Sequence, residues 1–391
     1  MSDDAVILKK GREKALLQRH HWIFSGAVQS YPSGYRDGDL IPIRSSVGKM
    51  LGWGFFNVKL SLAGRVVSFG EEEVYSSLKK TLFGAIALRQ MLLNNPQTTA
   101  YRLVNGEGDG LPGLIIDKYG PYLVVQTGAL GMRKLLPFFL EQLKERFPLQ
   151  GIYDKSSESV LKEEGIDPQE NTLWGNIPDL VEIKEEGIRF NVSIKRGQKT
   201  GFFLDQREMR KQVSELSKGK QVLNAFCYTG GFTLAALKGG AHHVDSVDVS
   251  ASALEMCKQN ILLNGYEASR NQCYQEDVFE FLTMRLCDYD LLILDPPAFA
   301  KKKKDIPSAI KGYKKIFEMA MRKMPSPSLL LVSSCSYYIS EEIFEYILRD
   351  AALEAKRSAR IIGRHRLALD HPINLYHAES SYLKSLLIEI Y

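Results

Sequence analysis

The sequence predicts an α/β protein: an open, mostly parallel sheet with helices on both faces, preceded by a small β domain and a middle α+β domain. Three patterns carry that prediction. From residue 186 onward, strand-like apolar runs alternate with helical ones in "QVLNAF", "TLAALKGG", "HVDSVDV", "SALEMCKQNILLNG", "VFEFLTMRL", "YDLLILD", "KGYKKIFEMAMRKM" and "LLLVSSC". Residues 1–74 show short apolar runs punctuated by Gly and Pro, as in "YPSGYRDGDLIPI" and "GKMLGWGFFNV", which is the signature of a small barrel or sandwich. Between them, from 75 to 185, the two periodicities mix.

That middle stretch opens with "YSSLKKTLFGAIALRQMLLNN", whose apolar spacing predicts a helix from about Tyr75 to Asn94. "GLIIDKYGPYLVVQT" then reads as two strands around a Tyr-Gly-Pro turn, "MRKLLPFFLEQLKERF" as a helix, and "GIYDKS" and "IRFNVSI" as further strands. The predicted domains are therefore 1–74, 75–185 and 186–391.

Composition narrows the class. With 391 residues, 45% of them hydrophobic, the chain can bury two or three separate cores. Its five cysteines, Cys227, Cys257, Cys273, Cys287 and Cys335, share no short repeated spacing, which argues against a disulfide framework or a zinc knuckle. The His20–His21 and His242–His243 pairs lack ligand spacing too, so no metal is expected. The N-terminus, acidic and then basic, lacks the apolar core of a signal peptide, and no stretch approaches the roughly 18 apolar residues of a spanning helix. A soluble cytoplasmic protein without membrane partners is expected. The net charge of +5 is mild, but basic residues cluster in "LKKGREKALLQRHHW", "SIKRGQKTG", "KKKKD" and "KRSARIIGRHR". Each is a solvated face or a phosphate contact.

In an open parallel sheet, ligands bind beyond the C-terminal strand ends, so chemistry is sought there. "VLNAFCYTGGFTLAALKGGA" ends a strand near Phe226 and turns through Tyr228, Thr229, Gly230 and Gly231 into a helix; paired glycines admit a ligand to the backbone, and a plain tight turn would use them equally well. Asp248 ends the next strand, about two dozen residues later, where a carboxylate can accept from two ribose hydroxyls. Asp277 follows a third strand and faces an adenine edge, caps the next helix, or does both. This order, without the pyrophosphate-binding glycine spacing or a P-loop lysine, describes a pocket for S-adenosylmethionine.

"YDLLILDPPAFAKKKKD" sends a buried strand, Leu291 to Leu294, to Asp295, Pro296 and Pro297. The prolines end the ladder and stiffen the turn, so the carboxylate and carbonyls there can hold a planar base. "SLLLVSSCSYY" supplies the following strand and places Cys335 at the same edge. A lone cysteine is ordinarily a buried small hydrophobe. At this edge it suits methylation of cytosine at C5, which requires a soft nucleophile at C6 to break the ring conjugation. Cys227 is the competing thiol and is expected to pack beneath the cofactor.

With these motifs in place, the chain resembles the class I RNA methyltransferases with an N-terminal PUA domain, a family that includes the ribosomal RNA large-subunit methyltransferase I group and makes 5-methylcytosine in 23S ribosomal RNA. The resemblance rests on "LKKGREKALLQRHHWIFSGAV", "GWGFFN", "RLVNGEGDGLPGLIIDKYG", "GQKTGFFLDQR", "FCYTGGF", "VDVS", "LDPPAF" and "SSCS". It implies a PUA-like RNA-binding domain over 1–74 and a Rossmann-like, S-adenosylmethionine-dependent catalytic domain over 186–391. Cys335 matches the nucleophile and Asp295 the acid beside it. Phe226, Tyr228, Thr229, Gly230, Gly231, Asp248 and Asp277 match the cofactor site, together with Thr200, Phe203, Asp205 and Arg207 of a hairpin that closes over it. Lys199, Pro296, Pro297 and Phe299 are implied on the substrate side, and Asp370 and His371 lie in a segment that covers the active site.

Two other readings stay open. "DPPAF" is similar to the D-P-P-Y signature of amino-group methyltransferases, with Phe299 one place late for stacking on the base. A non-catalytic RNA-binding assembly factor would keep the fold without the chemistry. Whether the protein forms a homodimer is not legible in the sequence.

Overall fold

The computed structural model describes residues 4–167, 171–285, 288–300 and 302–391; Cys287 and Lys301 lie outside them. The chain divides into two compact units, Met1–Ile183 with Val192–Leu204 and Leu369–Ser380, and Lys184–Asn191 with Asp205–Ala368 and Ser381–Tyr391. Among the described residues no helix is long and apolar enough to cross a membrane.

The first unit begins with β1 (Val6–Leu8), α1 (Lys14–Leu17), β2 (Trp22–Ile23), β3 (Val28–Ser30), β4 (Ile41–Arg44), β5 (Met50–Phe56) and β6 (Gly64–Phe69). The six strands form one sheet in the order β2-β6-β5-β4-β1-β3. Val6, Leu8, Ile23, Ile43, Phe56 and Val66 fill its core, so the punctuated apolar runs are strands, and Phe55 of β5 and Val67 of β6 are buried on the opposite face as well.

α2 (Val74–Leu93) follows, starting where the Glu73 carboxylate accepts from the Tyr75 and Ser76 amides. Next come β7 (Ala100–Asn105), β8 (Leu114–Tyr119), β9 (Tyr122–Thr127), α3 (Leu130–Arg146), β10 (Gly151–Asp154), α4 (Glu158–Glu164) and β11 (Thr172–Gly175). Their sheet has the order β11-β10-β9-β8-β7, and β8 and β9 form the hairpin read around Tyr-Gly-Pro. Leu78, Leu82 and Ile86 of α2 and Leu136, Phe139 and Leu143 of α3 pack with Val104, Ile116 and Val125.

Inside this unit lies a network of buried charges. Arg89, 1% exposed, donates to both Asp109 carboxylate oxygens at 2.6 and 2.8 Å, to the Arg102 carbonyl at 2.8 Å and to the Asp370 carbonyl at 2.6 Å. Arg102 forms a two-point pair with Asp117 at 2.8 and 3.0 Å. Every guanidinium and carboxylate in it faces a partner, which is the condition under which buried charge is tolerated.

The two-stranded sheet of β12 (Val181–Glu185) and β13 (Ile188–Val192) precedes the second unit's main sheet. That sheet is built from α5 (Arg207–Leu216), β14 (Gln221–Ala225), α6 (Gly231–Lys238), β15 (His243–Asp248), α7 (Ala251–Leu263), β16 (Asn271–Gln275), α8 (Val278–Met284), β17 (Leu291–Leu294), α9 (Ile306–Lys323), β18 (Ser328–Ser334), α10 (Glu341–Ala355), β19 (Ala359–His365) and β20 (Lys384–Ile390). The strand order is β16-β15-β14-β17-β18-β20-β19, parallel from β16 to β18, with β20 antiparallel to both its neighbours. The predicted alternation is present through β18. The antiparallel pair beyond it was not predicted, because "KSLLIEI" stands alone near the C-terminus with no helix after it to signal another repeat.

Arg89→Met removes one partner of a buried ion pair, which costs about 3–5 kcal/mol. Urea unfolding of the variant should show a loss of that size, and a loss well under about 1 kcal/mol would mean that the network does not hold the first unit together.

Candidate active site at the ends of the parallel strands

The order of the parallel strands reverses at β14, which has β15 on one side and β17 on the other. A crevice at that switch point is where such sheets bind ligands. The loop leaving β14 is strained: Phe226 (φ 60), Tyr228 (φ 48) and Gly230 (φ 86) are left-handed, and two of the three carry a β-carbon. Such conformations persist only where the surroundings enforce them. Here the Cys227 amide donates to the Val247 carbonyl at 3.0 Å, the Tyr228 amide to an Asp248 oxygen at 2.9 Å, and the Asn260 side chain to the Thr229 carbonyl at 3.2 Å. Gly230 has no room for more, since a Cβ there would lie 2.5 Å from the Cys257 sulfur. Gly231 opens α6.

Asp248 ends β15, its other oxygen accepting from the Ser250 amide at 2.9 Å. Asp277 follows β16 and caps α8, accepting from Phe279 and Glu280 amides at 2.8 and 3.2 Å, so the capping role read from the sequence is present. Asp248 and Asp277 therefore mark the ends of neighbouring strands, next to a loop, 226–231, that contains no Lys or Arg. Two carboxylates would repel a pyrophosphate, whereas ribose hydroxyls and a sulfonium suit them. The donor set and the glycine cradle fit S-adenosylmethionine.

On the other side of β14, Leu294 of β17 is level with Val332 of β18. Asp295 and Cys335 thus emerge from adjacent strand tips, both half-buried, with Pro296 buried and Pro297 exposed between Asp295 and α9. The backbone around Cys335 is fixed from α9: the buried Tyr313 hydroxyl shares hydrogen bonds with Ser334 Oγ at 3.0 Å and Ser336 Oγ at 3.1 Å. Cys227 is buried under its loop. The Phe299 ring sits 4.6 Å from the Tyr313 ring, packed on α9.

Two residues at this edge escaped the sequence reading. Gln206, 3% exposed, donates from Nε2 to Asp295 Oδ2 at 3.2 Å. Lys384 starts β20 and donates from Nζ to the Ser336 carbonyl at 2.8 Å. The first was hidden between the charged residues of "LDQR"; the second could be found only by pairing "KSLLIEI" with "SLLLVSS".

The stretch 197–207 is divided. In the first unit Thr200, 1% exposed, donates to Asp117 Oδ2 at 2.6 Å and meets the Tyr119 hydroxyl at 2.9 Å, while the Lys199 ammonium lies 4.7 Å from the Phe203 ring centre. In the second unit Asp205 accepts from the Tyr382 hydroxyl at 2.7 Å, and Arg207 pairs with Glu185 at 3.7 Å. The Thr200, Asp205 and Arg207 side chains thus hold the stretch in place. Asp370 and His371 are 0% and 2% exposed inside the first unit, where Asp370 Oδ2 accepts the Arg102 amide at 2.7 Å. The segment carrying them is anchored there by the same charge network as Arg89.

Among the described residues one group has metal-like composition: His20, His377 and Glu379. His20 Nδ1 accepts the Trp22 amide at 3.1 Å, which leaves the proton of the neutral ring on Nε2, facing Glu379 at 3.5 Å. The His20–Glu379 approach is a histidine–carboxylate contact.

The chain matches the family described as S-adenosylmethionine-dependent methyltransferase over residues 160–365 and a PUA-like domain over residues 6–69. It is 38% identical over 391 residues to ribosomal RNA large subunit methyltransferase I of Aeromonas hydrophila and 39% identical over 389 residues to that of Aeromonas salmonicida, covering 98% of this chain and of each relative. Among solved structures it is similar to a protein described as a methyltransferase in complex with S-adenosylhomocysteine, with a TM-score of 0.84 and 24% identity, covering 99% of this chain and 100% of the other. A second chain, described as an S-adenosylmethionine-dependent methyltransferase from Streptococcus mutans, has a TM-score of 0.82 at 24% identity and the same coverage. These two share the fold.

Gly230→Ala places a β-carbon against Cys257 in a left-handed residue, at a cost of about 1–2 kcal/mol before any ligand is met. Calorimetric titration should find S-adenosylmethionine affinity reduced about tenfold or more. Unchanged affinity would remove this loop from the cofactor site.

Proposed function

The chain belongs to the S-adenosylmethionine-dependent methyltransferases, in the ribosomal RNA large subunit methyltransferase I family, and from that membership we propose that it methylates cytosine C5 in 23S ribosomal RNA through a covalent adduct on Cys335. The observation that carries this reading is the emergence of Asp295 and Cys335 from the adjacent ends of β17 and β18, one and three residues past the paired Leu294 and Val332, with β17 directly beside β14 and its glycine loop.

The chain's residues divide the work. Asp248, Asp277, Phe226, Tyr228, Thr229 and the glycine cradle bind and orient S-adenosylmethionine, which supplies an electrophilic methyl group. The Cys335 thiolate adds to C6 of an unpaired cytosine, forming a carbon–sulfur bond and leaving electron density on C5. Asp295 faces the N3 and N4 edge, accepts from the amino group and, with N3 protonated, stabilises the addition; Gln206 fixes its rotamer. After C5 takes the methyl group, a base removes the C5 proton and the electrons of that bond expel the sulfur, returning the enzyme. Pro296 and Pro297 keep the Asp295 turn rigid, so the acid does not need to be reordered for each base.

The PUA-like domain and the exposed lysines 302–304 support an RNA partner, and looped or single-stranded RNA is favoured because unstacked bases present their edges. The amino-group alternative needs an aromatic at the base, and the one in its motif, Phe299, has its ring on Tyr313.

Cys335→Ser should abolish methyl transfer to 23S ribosomal RNA while S-adenosylmethionine still binds. Nucleoside mass spectrometry of RNA treated with the unaltered protein should give 5-methylcytidine. Normal turnover by the variant, or an N-methylated nucleoside as the product, would overturn the reading.

A further inference from the structure

We propose that Lys384 is a positioning residue for the Cys335 thiol, holding an ammonium group across residue 335 so that the sulfur is ionised when the base arrives. The inference deepens the assignment of Cys335 as nucleophile and rests on it. Its ground is strand register. β20 runs antiparallel to β18, and Lys384 is the direct partner of Ser334. Its Nζ nevertheless ends on the carbonyl of Ser336, at 2.8 Å. A side chain that begins level with residue 334 and finishes on residue 336 crosses residue 335 on the way.

The surroundings leave the lysine to act on that sulfur. From α9, the Tyr313 hydroxyl is engaged by Ser334 and Ser336, and burial raises its pKa, so it stays neutral. From the tip of β17 comes Asp295, an anion that opposes ionisation of the thiol and is bonded by Gln206. From the first turn of α10 comes Glu341, which is paired with Arg366, the residue after β19. Burial lowers the Lys384 pKa on balance, with Arg366 in the same direction and the charges of Cys335 and Glu341 opposing it; the Cys335 part is the reciprocal of the effect proposed on the thiol. An ordinary cysteine titrates near about 8.5 and is mostly thiol at neutral pH, while a cation within a few ångströms lowers such a value by about 1–3 units. The Ser336 anchor gives the ammonium a fixed position without placing it on the base.

The test is the pH profile of Cys335 alkylation by iodoacetamide, read on the Cys335 peptide by mass spectrometry. It is run on the unaltered protein and on Lys384→Met, Lys384→Gln and Lys384→Arg, each checked for its unfolding midpoint and S-adenosylmethionine binding. The unaltered midpoint should lie below about 8.5, and the two neutral variants should raise it by about one unit, slowing alkylation at pH 7 about tenfold. The arginine variant should stay close to the unaltered profile. Methyl transfer by the neutral variants should fall in kcat at pH 7 and recover as the pH rises, with KM for RNA unchanged. Should Lys384→Met fail to fold, Lys384→Gln, which keeps a donor for Ser336, gives the same comparison. Neutral variants whose profiles superimpose on the unaltered one overturn the role of Lys384. If that happens while Cys335→Ser is inactive, only the lysine assignment falls; if the profiles shift but Cys335→Ser still methylates RNA, the nucleophile reading falls and the lysine–thiol pairing stands.

Discussion

The relative level of two parallel strand ends is the constraint on which the site depends. β17 and β18 are covered on both faces, with Leu291 to Leu294 and Leu330 to Val332 all at 0–1% exposure. Each such side chain contributes about 1.5–3 kcal/mol by burial, which makes the pair of strands secure. Yet a strand that is apolar on both faces has no alternation to fix its register. Polar contacts at the strand end supply that fixation. Tyr313 bridges Ser334 and Ser336, and Ser333 meets Ser385 at 2.8 Å. Sliding β18 by one residue would leave these buried hydroxyls unmatched and change the offset between Cys335 and Asp295.

The cofactor side is held by the opposite means. Its loop departs from regular conformation at Phe226, Tyr228 and Gly230, and the cost is offset by Asp248, whose two oxygens accept the main-chain amides of Tyr228 and Ser250. A carboxylate so placed shapes the loop. One edge of the sheet therefore combines strained backbone at β14 with a rigid proline turn at β17 and a hydroxyl-pinned tip at β18. In the proposed mechanism the methyl donor, beyond β14, and Cys335, beyond β18, reach the pyrimidine from either side of β17.

Much of this was legible in the sequence, and the limits have physical causes. The runs "LLIL" and "LLLV" announce buried parallel strands because nothing polar interrupts them, and acids or thiols directly after such runs must appear at the strand ends. The buried charges of the first unit were not legible: Arg89 and Arg102 look like solvated positions on a helix and a strand until Asp109, Asp117 and Asp370, distant in the chain, are brought to them. The hydrogen bonds of Thr200 to Asp117 and Tyr119 join residues some eighty positions apart, which its motif does not announce. Lys384 was missed because its meaning comes from an antiparallel pairing across some fifty residues of chain, 334 to 384, and no local pattern encodes that register.

The central claim, a bond between the sulfur of Cys335 and C6 of cytosine, is tested most directly by trapping it. Fluorine at C5 cannot leave as a proton, so 23S ribosomal RNA transcribed with 5-fluorocytidine should hold the enzyme in a covalent complex once the methyl group has been transferred. Digestion and mass spectrometry of a complex that survives denaturant should locate a methylated fluoropyrimidine on the peptide containing Cys335. A complex linked through Cys227, or no covalent complex under conditions where ordinary RNA is methylated, would contradict the account.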